Sequence, residues 1–144
     1  MNTTKFGTKV EKLIIKKLNQ NGINAVLTPP IMKGIDGLII KDKHISWPIQ
    51  IKGRKNFENG QYVPNIKNFY SNFFIIVYSD KSKNFWIIPS KIYKKISNVK
   101  PRRLSYTKKT KEVLKNYENM KGIDYLKKRL KSGQKSIWLD YINS

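Results

Sequence analysis

The amino-acid sequence predicts an α/β domain in which helices flank a mixed central β-sheet. A helical pattern at the start of the chain is followed by several short apolar runs that turn residues separate. Two of these runs, residues 72–79 and 84–90, are apolar at nearly every position, which is typical of strands buried on both faces. The length of 144 residues suits a single domain.

The elements of this core follow one another through residues 1–90. Residues 4–20 carry apolar side chains at helical spacing, and Asn21-Gly22 supplies a stop signal. A second, short helix is predicted to begin at Pro64 and to cover residues 64–70. The predicted strands cover residues 23–28, 35–41, 45–52, 72–79 and 84–90.

The character of the chain changes at Lys91. From there to Lys135, sixteen Lys or Arg accompany three acidic residues. Helices are predicted near residues 108–120 and 123–131, with Gly122 between them. We therefore expect one domain, residues 1–144, in which residues 1–90 form the core and residues 91–144 form a basic C-terminal extension. The aromatic tail, residues 136–144, is expected to dock on the body or on another subunit.

Charge indicates the kind of partner. Thirty Lys and Arg against nine Asp and Glu give a formal net charge of +21. Self-repulsion of this size is relieved by a polyanion, and nucleic acid is the usual one. An anionic membrane surface fits less well, because the basic residues do not lie on one strongly amphipathic helix.

Other classes of protein are excluded by composition. The chain has no cysteine, which excludes disulfides, thiolate metal sites and cysteine nucleophiles, and its single histidine is His44. No apolar run approaches the ~18 residues of a membrane span, and the polar start does not resemble a secretory signal. We expect a cytoplasmic, nucleoid-associated protein without a membrane partner.

Candidate functional residues lie on two neighbouring strands. Asp36 stands in the sequence GIDG at the mouth of an apolar strand, where a carboxylate suits a metal ion, although Asp in a simple turn is the alternative. On the next strand, alternation places Gln50 and Lys52 on one face and Ile49 and Ile51 on the other. An amphipathic edge strand is the alternative there, and Pro48 gives it some support.

The first helix adds a further candidate. Glu11 is its single acidic residue and projects at the margin of the apolar face, where a charge must be paired, metal-bound or near solvent. The step of fourteen residues from Asp36 to Gln50 fits one β-hairpin, which would place the two residues opposite each other. The sequence therefore predicts one site that is built from Glu11, Asp36, Gln50 and Lys52.

This order of residues resembles the PD-(D/E)XK nuclease superfamily, in the variant where Gln replaces the second acidic residue. The layout of residues 1–90 looks like that of the group I intron-encoded homing endonucleases of this fold. It is similar also to archaeal Holliday junction resolvases and Mrr-like restriction nucleases. Ile35 stands where the name-giving Pro would be, and Gln50 removes a charge from the metal site. The resemblance implies a restriction-endonuclease-like core.

The chemistry of such a site follows from its ligands. Mg²⁺ suits oxygen donors without Cys or several His, and Mn²⁺ is expected to substitute for it. Asp36 would be the principal ligand, with the Gln50 side-chain oxygen and the backbone carbonyl of Ile51 as further ligands. Glu11 would hold metal-bound water or a second ion. Lys52 would orient the attacking water and stabilise transition-state charge.

The resemblance implies a sequence-specific, metal-dependent endonuclease of the homing or restriction type, acting on double-stranded DNA as a homodimer or homotetramer. A Holliday junction resolvase is one alternative, a basic nucleic-acid-binding protein without catalysis is another, and a descendant that has lost catalysis is a third. The basic segments would grip the DNA or, alternatively, form a solvated face without sequence readout. The candidate DNA-binding residues are Arg54, Lys55, Lys100, Arg102, Arg103, Lys108, Lys109 and Lys111.

Overall fold

The computed structural model describes residues 3–64, 66, 69–99 and 102–143, with side chains described for residues 5–64, 66, 69–99 and 102–131. The helices are α1 (Thr3–Gln20), α2 (Ser90–Ile96), α3 (Lys108–Leu114) and α4 (Met120–Asn143), and a 3₁₀ turn covers Lys115–Tyr117. The strands are β1 (Ala25–Leu27), β2 (Gly37–Ile40), β3 (Ser46–Arg54), β4 (Tyr62–Pro64), β5 (Phe74–Ser79), β6 (Phe85–Pro89), β7 (Asn98–Val99) and β8 (Arg102–Ser105).

The central sheet has five strands in the order β1-β2-β3-β5-β6. The strands β3 and β5 run parallel, from the pair Ile49↔Phe74 to the pair Arg54↔Ser79, and the other neighbours are antiparallel. The predicted mixed sheet is therefore confirmed. The predicted strands of the core are found in place, although β1, β2 and β6 are shorter at both ends than predicted and β5 is shorter at its start.

Both faces of this sheet are covered. On one face, Val10, Ile14 and Leu18 of α1 share a buried cluster with Ile49 and Ile51 of β3, and Ile123 and Leu126 of α4 join the same cluster. On the other face, a second buried cluster joins strands β5 and β6 to residues that precede and follow them in sequence. Its members include Phe73, Ile75, Val77, Trp86, Ile88, Tyr93, Leu104 and Leu114. A sheet between helices, as predicted, is the result.

A second, three-stranded sheet was not predicted. Its order is β4-β8-β7, with both pairs antiparallel. The prediction of a helix that begins at Pro64 is wrong, because Pro64 ends β4, and residues 66, 69 and 70 are not helical. Proline is tolerated in β4 because this strand lies at the edge of its sheet, where a missing N–H breaks no ladder on the open side.

The break between the last two helices also differs from the prediction. Gly122 does not separate them but lies inside α4, where a side chain would collide with the backbone carbonyl of Tyr117. The turn is made by Asn119, which adopts a φ of 52°. The Asn119 side chain accepts a hydrogen bond from the Phe85 N–H at 2.9 Å, and this ties the start of α4 to β6.

Residues beyond Lys91 take part in the core. Tyr93 is fully buried, and its hydroxyl donates a hydrogen bond to the Val63 carbonyl at 2.8 Å. Leu104 and Leu114 are buried in the same cluster. The division into a core and a basic extension at Lys91 stays a prediction, and the side chains of the aromatic tail, residues 136–144, lie outside the described part.

Close packing between α1 and β3 makes Gly53 a sensitive position. A Cβ atom at Gly53 would lie 2.7 Å from Val10 Cγ2, and the Val10 side chain is buried and stiff, so α1 would have to shift. We expect Gly53→Ala to lower the free energy of unfolding by ~1–3 kcal/mol in urea denaturation.

A glycine in α1 supplies the matched control for this prediction. Among the described residues, a Cβ atom at Gly7 would meet no neighbouring atom within 4 Å. Since Gly weakens a helix interior, Gly7→Ala should raise the free energy of unfolding by about 0.5–1 kcal/mol. A Gly53→Ala protein as stable as the Gly7→Ala protein would contradict the tight contact.

Candidate active site

The candidate site lies where β2 and β3 part. Gly37↔Ile49 is the last pair of their register, and one residue earlier the Asp36 N–H still donates to the Ile49 carbonyl at 2.9 Å. Beyond that point the Asp36 side chain replaces the missing strand, because its Oδ2 accepts a hydrogen bond from the Ile51 N–H at 2.7 Å. The Asp36 carboxylate is thereby held in the gap between the two strands.

The same gap exposes a backbone carbonyl. In an extended strand, the N–H and C=O of one residue point to the same neighbouring strand. Since the Ile51 N–H points to Asp36, the Ile51 carbonyl faces the gap as well, where β2 no longer pairs. A carboxylate and a carbonyl oxygen therefore border one space.

Gln50 stands opposite Asp36 in the register, between the two residues of β3 that contact Asp36. Its side chain is 9% exposed, and among the described residues it makes no hydrogen bond. Neither polar atom of the amide is fully buried without a partner, so the amide keeps contact with solvent and is open to a ligand of another kind. The mouth of the gap is the place where such a ligand would enter.

Glu11 approaches the gap from α1. The close contact between Gly53 and Val10 holds the helix against β3 at this point. Burial raises the pKa of the Glu11 carboxyl, the charge of Asp36 raises it further, and the charge of Lys52 opposes the shift. Asp36 and Lys52 thus both lie near enough to Glu11 to influence its charge.

The charged candidate residues have hydrogen-bonding and ion-pairing capacity that no described residue uses. Glu11 and Lys52 take part in none of its ion pairs or side-chain hydrogen bonds. Asp36 uses Oδ2 once and leaves Oδ1 open. No three His, Cys, Asp or Glu side chains of the described residues form a metal-binding group. A cation at the gap would therefore depend on two carboxylates, an amide and a carbonyl, which are the hard oxygen donors that suit Mg²⁺.

Two of the predicted DNA-binding arginines, Arg54 and Arg103, contact Tyr62. Arg54 is half-buried, and burial lowers the pKa of its guanidinium. It donates hydrogen bonds to the Tyr62 carbonyl at 2.8 Å and to the Gly53 carbonyl at 2.7 Å. Arg103 lies over the Tyr62 ring, 4.6 Å from its centroid. Arg54 thus joins β3 to the small sheet, whereas the contact of Arg103 with Tyr62 lies within that sheet.

The other predicted DNA-binding residues differ in their surroundings. Lys55 lies over the Phe6 ring at 4.2 Å and 4.0 Å from a carboxylate oxygen of Asp80. Arg102 is engaged within the protein, because it donates to the Lys94 carbonyl and to the Ser97 hydroxyl. Lys100 lies outside the described residues. Lys108, Lys109 and Lys111 occupy exposed positions on α3, next to the exposed Glu112.

A row of lysines on α1 was missed at the sequence level. Lys5, Lys9, Lys12 and Lys16 are all exposed, and helical spacing places them within an arc of about 60°. They face away from Val10 and Ile14, which are buried. The helical projection that singles out Glu11 also reveals this row, which adds a second basic surface on the outer face of α1.

The raised pKa of Glu11 makes a prediction about stability without metal. A carboxyl whose pKa is raised on folding destabilises the folded state above that pKa, and the penalty disappears as the pH falls below the unfolded value. We therefore expect Glu11→Gln to raise the Tm in EDTA at neutral pH, with a gain that shrinks on acidification. Thermal denaturation between pH 4 and 8 measures this.

Glu112→Gln is the matched control, because it makes the same change in net charge. The Glu112 carboxylate is exposed and forms an ion pair with Lys115 at 2.7 Å, and the hydrogen bond from Lys115 lowers its pKa. Its replacement should leave the Tm nearly unchanged or lower it slightly. Equal Tm changes in the two variants would show that only net charge matters.

The sheet order and the flanking helices define a nuclease-like fold. The chain is similar to the solved structure of a bacterial homing endonuclease, I-Ssp6803I, with a TM-score of 0.54. The identity is 14%, and the match covers 75% of this chain and 80% of that chain. At this identity the likeness shows the fold alone. No family model and no curated protein sequence match the chain.

The described part of the chain contains no helix that is both long and apolar enough to span a bilayer.

Proposed function

We propose that the protein is a Mg²⁺-dependent endonuclease that cleaves double-stranded DNA at specific sequences, of the homing or restriction type. The observation that carries this proposal is the gap between β2 and β3. There the Asp36 carboxylate accepts a hydrogen bond from the Ile51 N–H, opposite Gln50, which has no hydrogen-bond partner among the described residues. The charges of Asp36 and Lys52 both act on the Glu11 carboxyl. Two carboxylates beside an amine, at a break in an apolar sheet, suit hydrolysis of a phosphodiester.

Each residue has a role in this proposal. Asp36, the Ile51 carbonyl and the Gln50 amide oxygen would hold the metal, and Glu11 would hold its water or a second ion. A bound Mg²⁺ supplies charge neutralisation at the phosphate and a more acidic water. Lys52 orients the attacking water and stabilises the negative charge that develops on the phosphate oxygens.

Charge and fold support the same function. The net charge of +21 favours a polyanionic substrate, and basic side chains continue from Lys52 through Arg54 to Arg103. The fold is shared with a protein that is described as a homing endonuclease. A cut through both strands requires two sites, so we expect a homodimer or homotetramer.

Incubation of the purified protein with a pool of plasmids and with a synthetic four-way junction tests the proposal. We expect Mg²⁺-dependent, and more weakly Mn²⁺-dependent, linearisation at a small number of positions. Cleavage of the junction alone would assign the protein to the Holliday junction resolvases instead. Binding without cleavage in either metal would leave a basic nucleic-acid-binding protein, and the nuclease proposal would be wrong.

A further inference from the structure

An apolar loop projects beside the candidate site. The apolar loop (residues 29–33) joins β1 to β2 and has the sequence Pro-Pro-Ile-Met-Lys, and all five positions are exposed. Ile31 is 83% exposed, more than any other large apolar side chain of the described residues. Met32 and the neighbouring Val26 and Leu27 are also exposed. The high exposure of Ile31 at the tip of a loop rich in apolar residues marks a candidate binding surface.

The apolar loop is tied to Asp36. The Thr28 N–H donates to the Asp36 carbonyl at 3.1 Å, and the Thr28 hydroxyl donates to the Ile35 carbonyl at 2.7 Å. Within the loop, the Met32 N–H donates a hydrogen bond to the Pro29 carbonyl at 3.1 Å. The two consecutive prolines restrict the backbone that leads up to the tip of the loop. The tip is therefore held at a set distance from the carboxylate that would bind the metal.

On these observations we propose that the apolar loop inserts Ile31 into the base stack of the DNA next to the phosphate at Asp36. This inference rests on the proposed nuclease function. Apolar wedges that part a base step kink the duplex, and the distortion brings the backbone closer to the protein. Here the wedge opens the duplex at the cleavage position and turns the scissile phosphate towards Asp36 and Lys52.

Charge and position favour DNA over a second copy of the chain as the occupant. A contact between two copies at this loop would bring Lys33 towards its own counterpart, whereas DNA attracts both Lys33 and the basic chain that carries it. A protein partner on the apolar loop would also cover the gap at Asp36, through which a substrate must enter. Base pairs beside the scissile phosphate meet neither objection.

The test uses an oligonucleotide duplex that carries a cleavage position mapped on plasmid DNA. A 2-aminopurine at the step beside that position should brighten when the wild type binds in Ca²⁺, because the base loses its stacking. With Ile31→Ala the signal should disappear at saturating protein, while Ile31→Leu should keep it. In Mg²⁺, Ile31→Ala should cleave the intact duplex at least about tenfold more slowly, because no inserted side chain offsets the free-energy cost of unstacking the bases.

Rescue separates a wedge from a structural role. An abasic site at the same step removes the stacking that the wedge must break, so it should restore cleavage by Ile31→Ala towards the wild-type rate. The control is Val99→Ala, because Val99 is 67% exposed on the small sheet and should change neither signal.

Three results would overturn the inference and leave the nuclease function standing. These are unchanged 2-aminopurine fluorescence in the wild type, equal cleavage by Ile31→Ala, and no rescue by the abasic site. A shift in sedimentation with Ile31→Ala, without a change in fluorescence, would assign the apolar loop to a contact between copies. A wild type that cleaves no DNA would sink the proposed function itself.

Discussion

Replacing Lys52 with alanine is expected to lower Mg²⁺-dependent cleavage by about 10²–10³-fold. Among the described ion pairs none involves Lys52, so its ammonium is available to the substrate rather than committed to the fold. The loss should appear in the cleavage step, measured by single-turnover kinetics at saturating protein. Binding of the same duplex in Ca²⁺ should change little.

Asp36→Asn is expected to abolish cleavage for a different reason. Asparagine keeps an oxygen that can accept the hydrogen bond from the Ile51 N–H, so the gap between β2 and β3 should persist. The variant removes the negative charge that would hold the metal, and with it the stabilisation of the protein by Mg²⁺ in thermal denaturation. Lowered cleavage with intact Mg²⁺ stabilisation would move the metal site away from Asp36.

The matched control for Lys52→Ala is Lys115→Ala. Lys115 lies on the 3₁₀ turn and is paired with Glu112 at the surface. Its removal costs one positive charge, as Lys52→Ala does, and should leave the rate of cleavage unchanged. Should Lys115→Ala slow cleavage as much as Lys52→Ala, charge alone would explain both losses.

The core of the fold was predictable because its signals are local. Residues 72–79 and 84–90 are apolar throughout, and the structure buries β5 and most of β6 between two layers. The alternation around Ile49 and Ile51 likewise holds, since both pack against α1. In each case the burial of a single stretch of chain is enough to determine its conformation.

The small sheet was not predictable for the opposite reason. The strand β4 is three residues long, and its partner β8 follows some forty positions later, with Leu104 facing Val63. A strand of that length carries no periodicity, so its conformation depends on a distant partner. The prediction that Gly122 separates two helices is wrong for a similar reason. Its close contact with Tyr117, rather than any local preference, determines its place in α4.

The candidate site was predictable in part. Alternation along β3 could pair Gln50 with Lys52, and the hairpin spacing could place Gln50 opposite Asp36. The end of the pairing between β2 and β3 at Gly37 could not be foreseen, because there the Asp36 side chain, rather than a further strand residue, bonds to the Ile51 N–H. The approach of Glu11 depends on Gly53, whose missing side chain admits Val10. Tertiary contacts therefore complete a site that local patterns only outline.

DNA affinity is expected to fall roughly 10³–10⁵-fold between 50 and 200 mM salt if six to ten phosphates are contacted. The surplus of positive charge is large, and the described part of the chain has few ion pairs to absorb it. Fluorescence anisotropy of a labelled duplex in Ca²⁺ measures the slope of log affinity against log salt. A slope near zero would mean that the charge does not meet the phosphates.

Single replacements then locate the contacts. Arg103→Gln should reduce the slope by about one and weaken binding, because Arg103 contacts Tyr62, which Arg54 of β3 also contacts. Lys12→Gln on the basic row of α1 should do the same if that surface also tracks the backbone. Lys83→Gln is the control, since Lys83 is already paired with Asp80 at 3.0 Å and releases fewer counterions on binding. If Lys83→Gln lowers the slope as much as Arg103→Gln, binding follows total charge rather than a defined surface, and the line from Lys52 to Arg103 is not the DNA path.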